Sequence, residues 1–165
     1  MLGGLTLRFE ERFMLDLANQ PTTPPPSRAE PPLVRAILSW QGTWFVARLA
    51  LVSAYVVGGL VKIVDIPAAI AEQTHFGLVP PALWAGITII VELVGSVLVL
   101  SGRLVWLGAG MLGVLTAAAT IVANRFWSMT GEARFMATNA FFEHVGLIGG
   151  LIAVAILASE NQRQR

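Results

Sequence analysis

The chain contains no cysteine and few charged residues, which make up only 13% of its 165 residues. Without cysteine it can form no disulfide, thiolate zinc site, thioether-linked haem or iron–sulfur ligation. Any redox cofactor that works with this chain is therefore bound non-covalently or held by another subunit. Soluble domains carry about 25% charged residues, so the charge content excludes an ordinary soluble domain.

Other kinds of site are also poorly supported. The net charge is only +1, which gives no support for binding nucleic acid or another polyanion. There are two histidines, with neither an HExxH motif nor a paired spacing, so no metal site is predicted. The first apolar residues are interrupted by charges, and the segment is therefore not expected to be a signal peptide: Arg8, Glu10, Glu11 and Arg12.

Apolar sequence, in contrast, is abundant. Hydrophobic residues form 55% of the chain and include four runs of 19–21 residues each. At about 1.5 Å of rise per residue, each run reaches about 30 Å, the thickness of the hydrocarbon core of a bilayer. The sequence therefore predicts an all-α fold, an antiparallel bundle of four transmembrane helices at residues 44–64, 82–100, 104–124 and 140–158.

Two segments outside the bundle are predicted from the sequence. Residues 1–19 form an amphipathic helix in this prediction, because four apolar residues recur at a spacing of four: Leu5, Phe9, Phe13 and Leu17. Such a helix lies on the membrane or docks on a partner subunit. The alternative is a frayed tail with chance periodicity. Residues 20–43 follow as a proline-rich linker and interfacial segment.

The distribution of basic residues predicts the orientation. An even number of spans places both ends of the chain on one side, including the tail at residues 159–165. Eight basic residues belong to that side (Arg8, Arg12, Arg28, Arg35, Arg48, Arg103, Arg163, Arg165) and three to the other (Lys62, Arg125, Arg134). The excess predicts a multi-pass protein of the bacterial cytoplasmic (inner) membrane with both termini in the cytoplasm.

Glu92, near the middle of the second run, is the most informative polar residue. An ionised carboxylate at the bilayer centre costs roughly 2.5–3.5 kcal/mol on insertion scales. A partner side chain, a water-filled cavity or a retained proton must offset that cost. The chain offers Lys62, Arg48 and Tyr55 as partners, and such a contact can be purely structural.

The remaining polar side chains of the spans predict a ligand site. If their faces converge, they line a cavity open to the outer side that suits a polar headgroup, a quinone carbonyl or a proton. The predicted ligand-binding residues are Tyr55, Lys62, Glu92, Asn124, Asn139, Glu143 and His144. Glu92 and His144 are the candidates for a catalytic role in proton exchange. Simpler roles stay open, since Lys62 can snorkel to the interface and His144 can be a packing residue. Asn124 and Asn139 can cap or link helices.

Two further patterns have structural interpretations. The glycines of Gly108–Gly113 match GxGxxG, but they lie inside an apolar run and therefore indicate a close-packing helix face. Residues 125–139 are expected to form a long connection. Its aromatic residues Phe126, Trp127 and Phe135 are interfacial anchors or, alternatively, a lid over the outer mouth of the cavity.

Four pieces of sequence indicate a family. They are RLALVSAYVVGGLVKIVD, ELVGSVLVLSG, the Phe126-Trp127 pair and FFEHVGLIGGL. Over residues 44–157 the chain resembles the DoxX family of small four-helix membrane proteins. The resemblance implies a membrane subunit associated with quinone-reactive oxidases, thiosulfate:quinone oxidoreductase or stress-defence complexes. It also implies that Lys62, Glu92, Glu143 and His144 occupy recurrent polar positions.

These observations leave several functions open. The favoured one is an accessory, non-catalytic subunit of an oxidoreductase-type complex with a quinone- or lipid-binding cavity around Glu92. The alternatives are a proton-coupled, quinone-reactive redox subunit and an assembly or stabilising factor without a redox role. A small transporter fits less well, because no internal repeat is present. The expected partners are membrane lipid, other subunits of a membrane complex and, as a further option, a second copy of the chain.

Overall fold

A computed structural model describes residues 31–163, and these residues are almost entirely helical, with no strand among them. Helix α1, Pro32–Ser39, belongs to a separate unit that ends at Ser39. The second unit begins at Trp40. Its elements are α2 (Gln41–Val64), α3 (Ile66–His75), α4 (Pro81–Ser101), α5 (Val105–Ala123), a single 3₁₀ turn (Phe126–Ser128) and α6 (Gly131–Arg163).

Four helices of the second unit are long and apolar enough to cross a membrane, namely α2, α4, α5 and α6. The predicted all-α fold with four spanning helices is therefore confirmed. Helix α4 packs against α2 on one side and α5 on the other, α5 packs against α6, and α6 closes the ring on α2. The short helix α3 packs mainly against α4. Consecutive spans are therefore neighbours, as short connections require.

The helix boundaries follow from local chemistry. Asp65 separates α2 from α3, and its carboxylate accepts a hydrogen bond from the backbone N–H of Ala68 at 3.0 Å. Pro67 stands in the first turn of α3, where its missing N–H costs nothing. Gly102 ends α4 in the left-handed conformation at φ +72°, which is the common way for a glycine to terminate a helix.

The bundle packs most tightly between α4 and α5. A Cβ added to Gly108 would lie only 2.6 Å from the carbonyl oxygen of Gly95, so the two backbones approach closely because both residues lack a side chain. The predicted packing face is therefore correct at Gly108. It is wrong at Gly110 and Gly113, where an added Cβ would meet nothing within 4 Å.

The largest difference from the predicted boundaries concerns α6. Residues 131–139 were expected in a connection, but they form the first turns of this helix, which has 33 residues and runs to Arg163. Glu132 and Arg134 lower the hydropathy of the segment without interrupting the helix. At about 1.5 Å per residue α6 is about 50 Å long, so it exceeds the hydrocarbon thickness of about 30 Å. The hydropathy of the sequence predicts the apolar middle of this helix but not its polar ends.

Two smaller segments also differ from the expectation. Helix α3 occupies most of the first connection, and α1 forms within the predicted proline-rich linker. The predicted N-terminal amphipathic helix, with its docking residues, lies outside the described residues: Leu5, Phe9, Phe13 and Leu17.

Candidate functional site

The predicted intramembrane carboxylate of Glu92 has a cationic partner. The ammonium nitrogen of Lys62, on α2, lies 3.1 Å from Oε1 and 3.3 Å from Oε2 of Glu92, on α4. The two side chains are only 16% and 11% exposed. Of the three partners considered from the sequence, the structure therefore selects Lys62. The pair has no net charge, which lowers the cost of holding either group at this depth.

Two glycines of α2 lie beside this pair, and the first is Gly58. It stands one turn before Lys62 on α2, and a Cβ added there would lie 3.5 Å from both carboxylate oxygens and 3.6 Å from Nζ. Gly59 allows the backbone of α2 to approach α4, because an added Cβ would lie 2.8 Å from the side chain of Leu93. The contacts at Gly58 are ordinary van der Waals distances, so the close approach of α2 to α4 depends on the missing side chain of Gly59.

Tyr55 does not bind Glu92 but crosses the centre of the bundle to α5. Its hydroxyl lies 2.6 Å from Oγ1 of Thr116. Thr116 in turn donates its only hydroxyl proton to the carbonyl of Leu112 at 2.7 Å, so Tyr55 must be the donor in the pair. This buried hydrogen bond links α2 to α5, which lie diagonally opposite in the ring.

One turn further along α5, a second threonine positions His144. Oγ1 of Thr120 lies 2.7 Å from Nδ1 of His144, and Nδ2 of Asn124 lies 3.3 Å from the same nitrogen. Thr120 also lies 2.6 Å from the carbonyl of Thr116, to which it donates. The threonine proton is then used, so the contact with Thr120 requires Nδ1 of His144 to donate, whereas the contact with the Asn124 amide, itself a donor, requires Nδ1 to accept. Nε2 is the acceptor in the first tautomer and the donor in the second, and it makes no hydrogen bond to any residue in the described range.

Lys62, Glu92 and His144 line one cavity of about 350 Å³, to which α2, α3, α4, α5 and α6 all contribute residues. Gln73 and Glu72 of α3 add an amide and a carboxylate to its polar wall. The rest of the wall is apolar and consists of Phe76, Leu78, Trp84, Leu115, Ala118, Ala119, Val122 and Ala123, together with the methyl-bearing Thr88. The predicted convergence of these three polar residues therefore occurs in the structure.

Four predicted lining residues do not reach the cavity. Glu143 and Asn139 are exposed on α6, whereas His144 points inward. Successive residues on a helix are about 100° apart, which turns Glu143 away from His144, and Asn139 is displaced by about 140° on the same count. The prediction that both line the cavity is wrong. Asn124 is not part of the wall but supports His144 from behind, and Tyr55 lies deeper in the bundle.

Several residues of the site were missed by the sequence analysis. Gln73 is 5% exposed, faces the cavity, and its side-chain amide makes no hydrogen bond to any part of the chain that the structure describes. Gln73 is positioned by the end of α3, which a glycine terminates. Gly77, at φ +72°, donates to the carbonyl of Thr74 at 3.0 Å, and Leu78 donates to that of Gln73 at 3.0 Å. The sequence Phe76-Gly77-Leu78, which follows α3, is the feature that could have predicted this helix end.

The aromatic residues after α5 form a cluster at the start of α6. The rings of Phe126, Trp127 and Phe141 meet edge to face, with centroids 5.2–6.4 Å apart. Phe135 lies exposed on α6. None of these residues lines the cavity, so their contacts do not support a lid over it. Their position suits interfacial anchoring.

Comparison with known proteins adds two findings. The DoxX family model matches residues 43–125, which is half of the chain and includes both Lys62 and Glu92. The chain is also similar to the inner membrane protein YphA of Escherichia coli (strain K12), with 23% identity over 111 residues, or 67% of this chain and 79% of that protein. No solved structure matches the chain.

Proposed function

The chain belongs to the DoxX family of integral membrane proteins, and on that premise we propose that it binds a quinone-like ligand as an accessory subunit of an oxidoreductase-type complex. One observation carries the proposal: a single cavity presents an ion pair, an amide and an imidazole, while the rest of its wall is apolar. A quinone has the matching pattern, with carbonyl oxygens on a ring and an isoprenoid chain. The similarity to an inner membrane protein supports a location in the bacterial cytoplasmic membrane.

The polar groups suit the two ends of a quinone ring. The ammonium of Lys62 and the amide of Gln73 are donors for a carbonyl oxygen. Nε2 of His144 has no partner within the described residues, so it can accept from the hydroxyl of a quinol in one tautomer and donate to the carbonyl of a quinone in the other. Trp84 and Phe76 supply flat apolar surface beside these groups. Cavities with few polar groups in an apolar wall are typical of small-molecule sites.

Quinone binding can be tested with the tryptophan in the cavity. The full chain, in nanodiscs of neutral lipid, is titrated with a short-chain ubiquinone while tryptophan fluorescence is recorded. We expect saturable quenching that Trp84→Phe abolishes. The matched control is Trp106→Phe, since Trp106 lies 63% exposed at the beginning of α5, away from the cavity. Quenching that does not saturate, or that survives Trp84→Phe, contradicts the proposal.

The accessory role is tested separately by identifying partners. The tagged chain is purified from its native membranes in mild detergent, and co-purifying proteins and quinones are identified by mass spectrometry. Stoichiometric recovery with a dehydrogenase or oxidase supports the role in a redox complex. Recovery alone, or with a complex that has no redox enzyme, contradicts it and leaves ligand binding as a separate question.

One observation favours a second function, a proton-coupled redox subunit. Glu92 and His144 line the same cavity from opposite helices, so each can exchange a proton with a ligand between them. Glu92→Gln distinguishes the two functions. A redox subunit loses quinone turnover while the complex still assembles, whereas an accessory subunit keeps turnover as long as the complex is intact.

A further inference from the structure

A second cavity, of about 620 Å³, lies at the opposite end of the bundle, where α2 begins, α4 turns into α5, and α6 ends. Its polar lining consists of Arg48, Ser101, Arg103 and Asn161, next to the indole of Trp44. It shares no lining residue with the cavity around Glu92. Nothing in the function proposed above uses it.

Arg48 is the unusual residue of this second cavity. It is only 9% exposed, yet it forms neither a hydrogen bond nor an ion pair with any described residue, and its buried Nε has no partner. Its one specific contact is with Trp44, whose ring centroid lies 4.8 Å from the guanidinium carbon. An aromatic face partly offsets a buried cation, but it leaves the buried Nε–H of the guanidinium without a hydrogen-bond acceptor. A buried charge of this kind normally has a counter-charge.

The surrounding residues leave room for an anion and supply more donors. Arg103 adds a second positive charge, and no acidic residue lines the cavity. Gly102 stands directly beside Arg48, because an added Cβ would lie 2.8 Å from Nη1. Any other residue at that turn would displace the guanidinium, and the left-handed backbone at φ +72° also favours glycine. The turn thus leaves room for the guanidinium of Arg48 at the wall of the cavity.

We propose that this second cavity binds a phosphate group, held by Arg48 and Arg103 with the side-chain amide of Asn161 as a neutral donor. Arginine is the side chain best suited to phosphate, since its planar N–H groups match two phosphate oxygens at once. The cavity lies at the ends of three spanning helices, which is the depth of lipid headgroups. The phosphate therefore belongs to an anionic phospholipid, or it is free phosphate from the adjoining solution.

The test uses the full chain in nanodiscs of phosphatidylcholine, with the unfolding temperature as readout. One arm adds inorganic phosphate against chloride at equal ionic strength, and the other replaces part of the lipid with phosphatidylglycerol. Phosphatidylglycerol retained after transfer to detergent is counted by native mass spectrometry. We expect stabilisation in at least one arm, and the arm that responds identifies the source of the phosphate. No stabilisation in either arm, with no retained phosphatidylglycerol, overturns the proposal.

Variants assign the effect to the cavity. Arg103→Gln should weaken the apparent affinity roughly tenfold, the loss expected for one charge-assisted contact. Arg134→Gln is the matched control, because it removes an exposed arginine at the other end of α6. Arg48→Gln should remove the response entirely. If Arg48→Gln does not fold, Arg103→Gln alone tests the proposal, because Arg103 is exposed and its replacement should not prevent folding. Equal losses in Arg103→Gln and Arg134→Gln would show a nonspecific charge effect and overturn the proposal.

Discussion

Lys62 and Glu92 come from different spanning helices, and the ammonium of the first lies within 3.3 Å of both carboxylate oxygens of the second. Both side chains are largely buried. Each charge therefore depends on the other for its compensation, and the contact ties α2 to α4 inside the bundle.

The first prediction concerns this pair. Lys62→Met and Glu92→Leu should each destabilise the protein by about 2–4 kcal/mol, because each leaves one buried charge without a partner. The double variant should lose less than the sum, because it leaves neither charge alone. Reversible unfolding in mixed micelles measures all three, with exposed Glu132→Gln as the control. Additive losses would mean that the pair contributes no coupling.

A second prediction uses the direction of the hydrogen bond between Tyr55 and Thr116. Tyr55→Phe removes a donor while Thr116 keeps its own bond to Leu112, so the loss should be about 0.6 kcal/mol, the average within membranes. Thr116→Val leaves the hydroxyl of Tyr55 buried without an acceptor and should cost more, about 1–3 kcal/mol. Unfolding equilibria of the two variants give the comparison. A larger loss in Tyr55→Phe would reverse the assigned direction.

Gly108 and Gly110 form a matched pair for a third prediction. Gly108→Ala places a methyl group against the backbone of α4, which cannot move aside easily, and we expect a marked fall in the unfolding temperature. Gly110→Ala meets no neighbouring atom and should be neutral or stabilising, since alanine is favoured over glycine in a helix by about 1 kcal/mol. Thermal unfolding in detergent measures both. Similar unfolding temperatures for the two variants would contradict the close approach at Gly108.

The fourth prediction separates two adjacent residues of α6. His144→Ala should weaken the binding of a short-chain quinone roughly fivefold, the effect of one lost hydrogen bond of about 1 kcal/mol. Glu143→Gln should leave the affinity unchanged, because Glu143 is exposed on another face of the helix. The titration of tryptophan fluorescence described above measures both affinities. An effect of Glu143→Gln equal to that of His144→Ala would place the ligand elsewhere.

The fold could be predicted because it depends on properties that a short window of sequence reports. Four runs of about 20 apolar residues are enough to predict four spanning helices. Depth along each span is a linear count, and it predicts Glu92 near the centre of the bundle and Lys62 and His144 in its outer half, where they meet only if the polar faces of the helices converge. Rotation about the helix axis is not given by depth, and the assignment of Glu143 and Asn139 to the cavity was wrong for that reason.

The supporting residues could not be predicted for a different physical reason. Thr116 and Thr120 lie in an apolar run, where a threonine is normally satisfied by the carbonyl of its own helix. Their contacts with Tyr55 and His144 depend on which helices are neighbours. The position of Gln73 in the cavity could not be predicted without knowing that α3 packs against α4. The choice among the three partners of Glu92 required the rotation and register of α2 against α4, because Lys62, Arg48 and Tyr55 all lie on α2.

The ion pair between α2 and α4 also bears on how the chain enters the bilayer. Lys62 precedes Glu92 by 30 residues, so it leaves the ribosome before Glu92 does. Lys62 lies near the end of α2, so its ammonium group can stay in the membrane interface until α4 is inserted. A counter-ion for the carboxylate of Glu92 is then available when α4 inserts. Insertion of α4 is therefore expected to depend on α2, and a chain from which α2 has been deleted should insert α4 less efficiently.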